Sequence, residues 1–403
     1  MNSYKIKDLH NLLKQYFKDE VKLVHYEAKP LTSKGENFGS EILDLEIKLQ
    51  YVDSEKTLRL VAKMCPPTEI LKEVFATAVT FKKEIYAYNI ILPTLLKFQQ
   101  ETCGRNCEKL YAECFGTRLN LNLNMDTIDD DAVILLENLK LSQFAVKDRM
   151  IGFNLEETEL ALETLSTFHA IALAFKNKHP DIFFQRILPH LTRNTIFDIV
   201  DEKSEKMDLD FVLDTASMNE QCKIHIDVII ENMKIGLENH RKTSVRELFA
   251  TISHNDFWVN NILLKSGERK CKIIDFQLMD YGSLANDLLF FLFTSVQEDV
   301  LNLQLKYLIS FYYDSFLRTL KEMNCDMQQF TVDSFMEEIE ICAKTKQFYH
   351  IMVMLRIIFG VKEKMKDLNE ITIDDLSSND YVSPECQQRV ITTILHFAKN
   401  NWI

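Results

Sequence analysis

Residues 251–275 constrain this chain more than any other stretch. They read Thr-Ile-Ser-His-Asn-Asp-Phe-Trp-Val-Asn-Asn-Ile-Leu-Leu, a short charged turn, then Cys-Lys-Ile-Ile-Asp. Ile262-Leu263-Leu264 reads as a short buried strand, Lys265 to Lys270 with Gly267 as a hairpin turn, and Lys272-Ile273-Ile274 as the returning strand. One hairpin then places Asp275 beside Asn261, on a loop that also carries Asp256. Phosphoryl transfer from a nucleotide needs such a set: a carboxylate to orient the attacking hydroxyl and accept its proton, and an amide and a second carboxylate to hold magnesium against the phosphates. Asn261 and Asp275 supply the hard oxygen ligands that magnesium prefers.

The rest of the chain runs strands first, then helices, which predicts an α+β fold. Residues 6–18 pattern as a helix, Val21 to Ala28 as a first strand, and Leu43 to Tyr51 as a strand of strict period 2. Between the strands lies Lys34-Gly35-Glu36-Asn37-Phe38-Gly39-Ser40, either a plain hairpin turn or a loop whose glycines let backbone N–H groups approach phosphates. Leu58 to Met64 follows as a strand bearing Lys63. A helix from Glu69 to Ile91 should stop before Pro93, with Phe81, Ile85 and Tyr88 on one face and Glu84 beside them. Gln99 to Cys107 reads as a polar loop, and Leu110–Phe115 and Ala132–Leu136 as strands. Helical patterning then dominates, at Leu155–Lys178, 288–294, 300–322, 333–360 and 384–399, with further helices from Asp181 to Leu237. Asp201 to Asp210 reads as charged and mobile within them, and Lys362 to Ser383 as a polar loop.

His254-x-Asp256-x4-Asn261 followed by Ile274-Asp275-Phe276 resembles the catalytic and metal-binding segments of kinase-like small-molecule phosphotransferases, which include choline kinases and aminoglycoside phosphotransferases. The longer string, with Gln277, Tyr281-Gly282-Ser283 and Asp287-Leu288, resembles the ecdysteroid-kinase-like (CHK kinase-like) family of insects, over roughly residues 30–320. The resemblance implies a bilobal, protein-kinase-like fold: a small sheet-rich N-lobe, residues 1–136, and a larger helical C-lobe, residues 137–403. It implies ATP and Mg2+ as cofactors, Asp256 as the catalytic base, and Asn261 and Asp275 as the metal ligands. Gly35, Asn37, Phe38, Gly39 and Ser40 would fold over the phosphates. Lys63 would contact them, held by an acid on the following helix. Phe81-x2-Glu84-x3-Tyr88 fits the family pattern, which favours Glu84 over Glu73 as that acid. Leu136, Glu137 and Leu139 fall in the hinge, where backbone groups would read the adenine edge.

The match has departures. Gly-x3-Gly is one glycine short of the protein-kinase loop, and Lys63 follows Ala62 directly, one residue short of the usual strand. Taken alone, Lys63 reads as an edge-strand lysine in solvent; the order of loop, strand, turn, strand and acid-bearing helix favours the phosphate role. Asn255 stands where a Gly is common. Gln277 stands where choline kinases have an acid, which bears on a second metal. His254 and Trp258 would set loop geometry, while His169 and Asp287 read as buried structural groups. The implied acceptor is an ecdysteroid or another lipophilic or xenobiotic alcohol. The alternative is a catalytically inactive pseudokinase that binds small molecules or proteins, although a degraded site usually loses one of Lys63, Asp256, Asn261 and Asp275. A protein kinase is disfavoured, because no Ala-Pro-Glu string follows Asp275.

Composition narrows the partners. The net charge of −13 and pI near 5.4 argue against nucleic acid or an anionic membrane, so a nucleotide site here must be locally basic and metal-assisted. Nine scattered cysteines read as reduced thiols, and Cys103, Cys107 and Cys114 lack the partners of a zinc site. The amphipathic N-terminus is no secretory signal, and Ile351 to Val361, broken by Arg356, is too short to span a bilayer. A soluble cytoplasmic protein is expected.

Overall fold

The computed structural model describes residues 4–18, 21–31, 39–242, 245–361 and 379–403. Helix α1 (Leu9–Phe17) precedes strands β1 (Lys22–Pro30), β2 (Glu41–Gln50) and β3 (Glu55–Met64). Then come α2 (Glu69–Val74), α3 (Thr77–Tyr86), a π turn (Ala87–Ile91), α4 (Leu92–Cys103), β4 (Cys114–Arg118) and β5 (Val133–Glu137). The five strands make one antiparallel sheet, ordered β1-β2-β3-β5-β4. Leu43, Leu45, Ile47 and Leu49 on β2, with Leu60 and Ala62 on β3, share a core with Leu9, Leu12 and Leu13 of α1. Because strand side chains alternate, Val61 and Lys63 face the other way, into the cleft below the sheet. Gly116 lets α1 lie close on β4, since a Cβ there would meet the Leu12 carbonyl at 2.6 Å.

Two sequence expectations change here. The helix does not stop before Pro93. The backbone opens into the π turn, with Leu92 N–H bonded to the Ala87 carbonyl, and α4 continues to Cys103, over the first part of the loop expected at Gln99–Cys107. The proline sits at the widened turn, where its missing N–H and its ring are accommodated. The strand expected at Leu110–Phe115 forms later, at β4, because Tyr111 is drawn into a parallel bridge with Ile273 and Leu110 accepts from Ile273 N–H at 2.7 Å.

The larger C-terminal part is helical. β5 leads through a 3-10 turn (Leu139–Ser142) to β6 (Phe144–Val146) and α5 (Leu155–Lys178). The latter begins at a capping box between Asn154 and Glu157. Then follow α6 (Pro180–Ile182), α7 (Glu202–Ser217), α8 (Glu220–Lys223) and α9 (Ile226–His240). Antiparallel β7 (Ala250–Ser253) and β10 (Asp280–Ser283) flank the hairpin of β8 (Ile262–Lys265) and β9 (Cys271–Ile273), which joins β6 in a three-stranded sheet. Helices α10 (Leu284–Ser295), α11 (Glu298–Glu322), α12 (Val332–Cys342), α13 (Phe348–Ile358) and α14 (Pro384–Lys399) complete it. Every residue of α10 is buried, so it forms the axis of this part. Asp201–Asp210 is not a loose segment. Asp201 caps α7, and Asp208 turns inward to a buried ion pair with Arg356. The architecture is the expected bilobal α+β one. No helix among the described residues is long and apolar enough to cross a membrane, and all nine cysteines are free thiols.

Candidate active site

The hairpin of β8 and β9 does what its spacing predicts. Ile262 pairs with Ile273, and the Ile274 N–H reaches the Asn261 carbonyl at 3.0 Å, so Asp275 leaves the strand next to Asn261. The Asn261 side-chain amide donates to the backbone carbonyl of Asp256 at 2.8 Å and to its Oδ2 at 2.7 Å. Both amide protons are thereby spent, and the amide oxygen is what Asn261 can offer a cation.

Two residues of the site sit in the left-handed region without being glycine: Asn255 (φ 60°) and Asp275 (φ 66°). Asn and Asp tolerate it best among L-residues, which explains why Asn serves where a Gly is common. The strain is held by a network. Asp287, fully buried at the start of α10, accepts from the N–H groups of His254 (2.6 Å) and Asn255 (2.7 Å) and pairs with His169 at 2.9 Å. His254 Nε2 donates to the Ile274 carbonyl at 3.0 Å, and its Nδ1 accepts from Asp256 N–H at 3.2 Å. The imidazole is therefore the neutral Nε2–H tautomer, in keeping with burial, which lowers its pKa. The buried histidine ties the end of β9 to the backbone of Asp256.

From the sheet side, Lys63 reaches down to Glu84 of α3 at 2.6 Å and to Asp275 at 2.8 Å. Its side chain is only 4% exposed, so it is not the edge lysine in solvent. Burial alone would lower its pKa, but Asp275 and Glu84 raise it, and the ammonium stays charged. Burial pushes Glu84 up, against the pull of Lys63. Burial, then the neighbouring Asp275, pushes Asp256 up to about 7 as well.

Lys63, Glu84, Asp256, Asn261 and Asp275 line one cavity of about 1430 Å³. Gly39, Leu136, Glu137 and Leu139 line it too, while Ser40 is buried nearby in sequence. Gly35, Asn37 and Phe38 lie outside the described residues. The Glu137 N–H is already bonded to the Glu113 carbonyl at 2.8 Å, so a donor to a base edge must come from a neighbour. Gln277 faces the cavity close to Gly39, where a Cβ would stand 3.1 Å from its amide. Among the described residues no cluster of three or more His, Cys, Asp or Glu could hold a metal by itself. An amide oxygen and one carboxylate suit magnesium that also binds substrate phosphates, rather than a closed protein cage.

The cavity extends beyond this centre. Its walls include Ile196, Phe197, Tyr349, Val353 and Met354, with the Asp208–Arg356 ion pair at one side. Sequence reasoning leaves this wall unassigned. Its residues come from the 191–200 segment and two distant helices, and each reads as ordinary helix core or loop. Asp275 is followed by a single 3-10 turn, β10 and α10, which leaves no space for an activation segment.

No curated protein matches the sequence. Among solved structures, the chain is similar to a spectinomycin phosphotransferase in complex with ADP and spectinomycin, with TM-score 0.45 and 11% identity, covering 97% of this chain and 99% of that one. It is similar to an ethanolamine kinase from Plasmodium vivax, with TM-score 0.43 and 11% identity over 100% and 98% of the two chains. A choline kinase from Cryptosporidium parvum matches with TM-score 0.43 and 12% identity over 93% and 89%. The model of the ecdysteroid kinase-like family matches residues 34–325, most of the sequence, and the chain belongs to that family.

Proposed function

We propose that this protein is an ATP-dependent small-molecule kinase that transfers the γ-phosphoryl group directly to a hydroxyl of a lipophilic alcohol, an ecdysteroid or a xenobiotic among the candidates. The observation that carries the reading is the convergence on one cavity of Lys63, from the N-terminal sheet, with Asp256, Asn261 and Asp275, from a loop and hairpin up to 212 residues away in sequence. A degraded site usually loses one of these four residues, and all four are present here. We take residues 1–136 as the nucleotide-covering lobe and 137–403 as the lobe carrying the chemistry.

Lys63 places a fixed positive charge where the α- and β-phosphates would pass, and Glu84 sets its position. Asn261 and Asp275 are the residues that would hold magnesium, which when bound screens the charge of the triphosphate. Asp256 orients the acceptor hydroxyl and takes its proton, its Oδ2 fixed by the Asn261 amide at 2.7 Å. Leu136, Glu137 and Leu139 would flank the base. The wall formed by Ile196, Phe197, Val353 and Met354 is apolar and would favour a lipophilic acceptor.

The test is product detection. Purified protein with magnesium and labelled ATP, offered steroid, phenolic and choline-like alcohols, should yield a phosphorylated product with the steroid or phenolic set. With that acceptor, Asp256→Ala should lower kcat on the order of a thousandfold or more, the loss expected when base and aligner are removed together. Turnover that survives the substitution would refute the role of Asp256. Nucleotide binding without product from any alcohol would favour the inactive binding module.

A further inference from the structure

Lys83, next to Glu84 on α3, is a second buried lysine that the chemistry above does not use. Consecutive helix side chains diverge by about 100°. Glu84 therefore turns to Lys63, while Lys83 turns to the C-terminal part. There its ammonium donates to the Thr192 carbonyl at 3.0 Å and to the side-chain oxygen of Asn194. Asn194 in turn donates to the Leu278 carbonyl at 2.6 Å, and Asn255, the neighbour of Asp256, donates to that same carbonyl at 3.1 Å. Leu278 closes the turn that begins after Asp275. A continuous loop of contacts thus runs from Asp275 through Lys63, Glu84, Lys83 and Asn194 back to the turn after Asp275.

The segment Lys83 holds is also a wall of the cavity. Leu191, Arg193, Ile196, Phe197 and Val200 all line the cavity there. Arg193 braces the segment by bonding Asp198 at 2.6 Å and the His240 carbonyl at 3.3 Å. At its other end the tie meets α3, which has an irregularity at each end. Helix α3 starts after Ala76, a non-glycine residue at φ 47°, and ends at the π turn Ala87–Ile91. Irregularities of both kinds gather where an element must move or be placed for function.

We propose that Lys83 is a positioning residue that couples the two halves of the site: nucleotide held at Lys63 fixes α3, and through Lys83 and Asn194 orders residues 191–200 into the acceptor wall. The proposal rests on the kinase reading. Nucleotide thereby prepares the acceptor wall before the acceptor enters.

Hydrogen exchange on the full chain tests this without an identified acceptor. In the wild type, magnesium with a non-hydrolysable ATP analogue should slow amide exchange in 191–200 by about fivefold or more, the lower end of ordinary site-to-site coupling. Lys83→Met, checked for a cooperative thermal transition, should still bind the analogue by calorimetry, with that slowing reduced to less than about twofold. Asn194→Ala breaks the same tie from the other side and should behave alike, while Lys83→Arg, which keeps a donor, should restore part of the protection. Equal protection in wild type and both breaking variants overturns the proposal, as does bound analogue with no protection in the wild type. If the wild type binds no nucleotide at all, the kinase reading falls and this coupling with it.

Discussion

Asp287 does its work through other residues. It accepts two backbone N–H bonds and a histidine bond in a place with no solvent, and those bonds hold His254 and Asn255 in the turn that aims Asp256. Removing such a carboxylate leaves buried donors unanswered, so Asp287→Ala should lower unfolding free energy by about 3 kcal/mol or more, read from urea denaturation at neutral pH. The pH dependence has a definite sign. Burial would raise this carboxyl, but the hydrogen bond from His169, with the field of the two neighbouring imidazoles and the His254 N–H bond, holds it below the ordinary 3.8. Its contribution is therefore complete above pH 3.8 and is lost as pH falls through the lower folded value, so the gap between wild type and variant should narrow in acid. At this scale much of the site can be read from residue types in order. The pattern from His254 to Asp275 encodes its own hairpin, and Asn255 shows its left-handed backbone by standing where glycine is common. Lys63 could be taken either way until the structure showed it buried between two acids. Lys83, one residue from Glu84, carries no comparable signal, because a helix lysine looks the same in sequence whether it points to solvent or to a carbonyl.

Helix α5 shows where an element is written in its own residues. Its predicted limits, Leu155 and Lys178, are those found, because Asn154 and Glu157 form a capping box and the apolar face is long. Asn154→Ala should cost about 1 kcal/mol, measurable as a lowered denaturation midpoint. The errors fall where a distant partner decides. Pro93 is an ordinary stop signal, overridden by a π turn that only packing stabilises. Asp201–Asp210 looks solvated because its charges have no local answer; Arg356 supplies one from 148 residues away, and Tyr349 adds a bond to Asp208 at 3.4 Å. Because removing Arg356 takes away the counter-charge of the buried Asp208 carboxylate, Arg356→Met alone should destabilise by about 3 kcal/mol or more, whereas Asp208→Leu with Arg356→Met should cost clearly less than the two single changes summed. Additive losses in a double-mutant cycle would show that the pair is not what orders α7.

Across the molecule, the sheet-bearing and helical parts are joined at the cleft by two buried lysines that titrate in opposite senses. Lys63 is flanked by two acids and keeps its charge. Lys83 is just as buried but meets mainly neutral oxygens, with Asp280 as the charged group opposing the shift, and burial lowers its pKa to about 8 from 10.5. Between those values the unfolded chain keeps a proton that the folded chain has released, so stability rises with pH through that window; below pH 8 the cost of burying the charge is present in full. The difference amounts to about 3 kcal/mol over the whole window. Lys176, also lowered by burial, contributes with the same sign, so the test is a comparison. From pH 8 to 9.5, unfolding free energy should climb more steeply in the wild type than in Lys83→Met, which keeps Lys176 but has no amine to discharge at the cleft. Parallel slopes would mean that the Lys83 ammonium is as well solvated folded as unfolded, and a lysine so placed could not be closed onto Thr192 and Asn194 between the two parts.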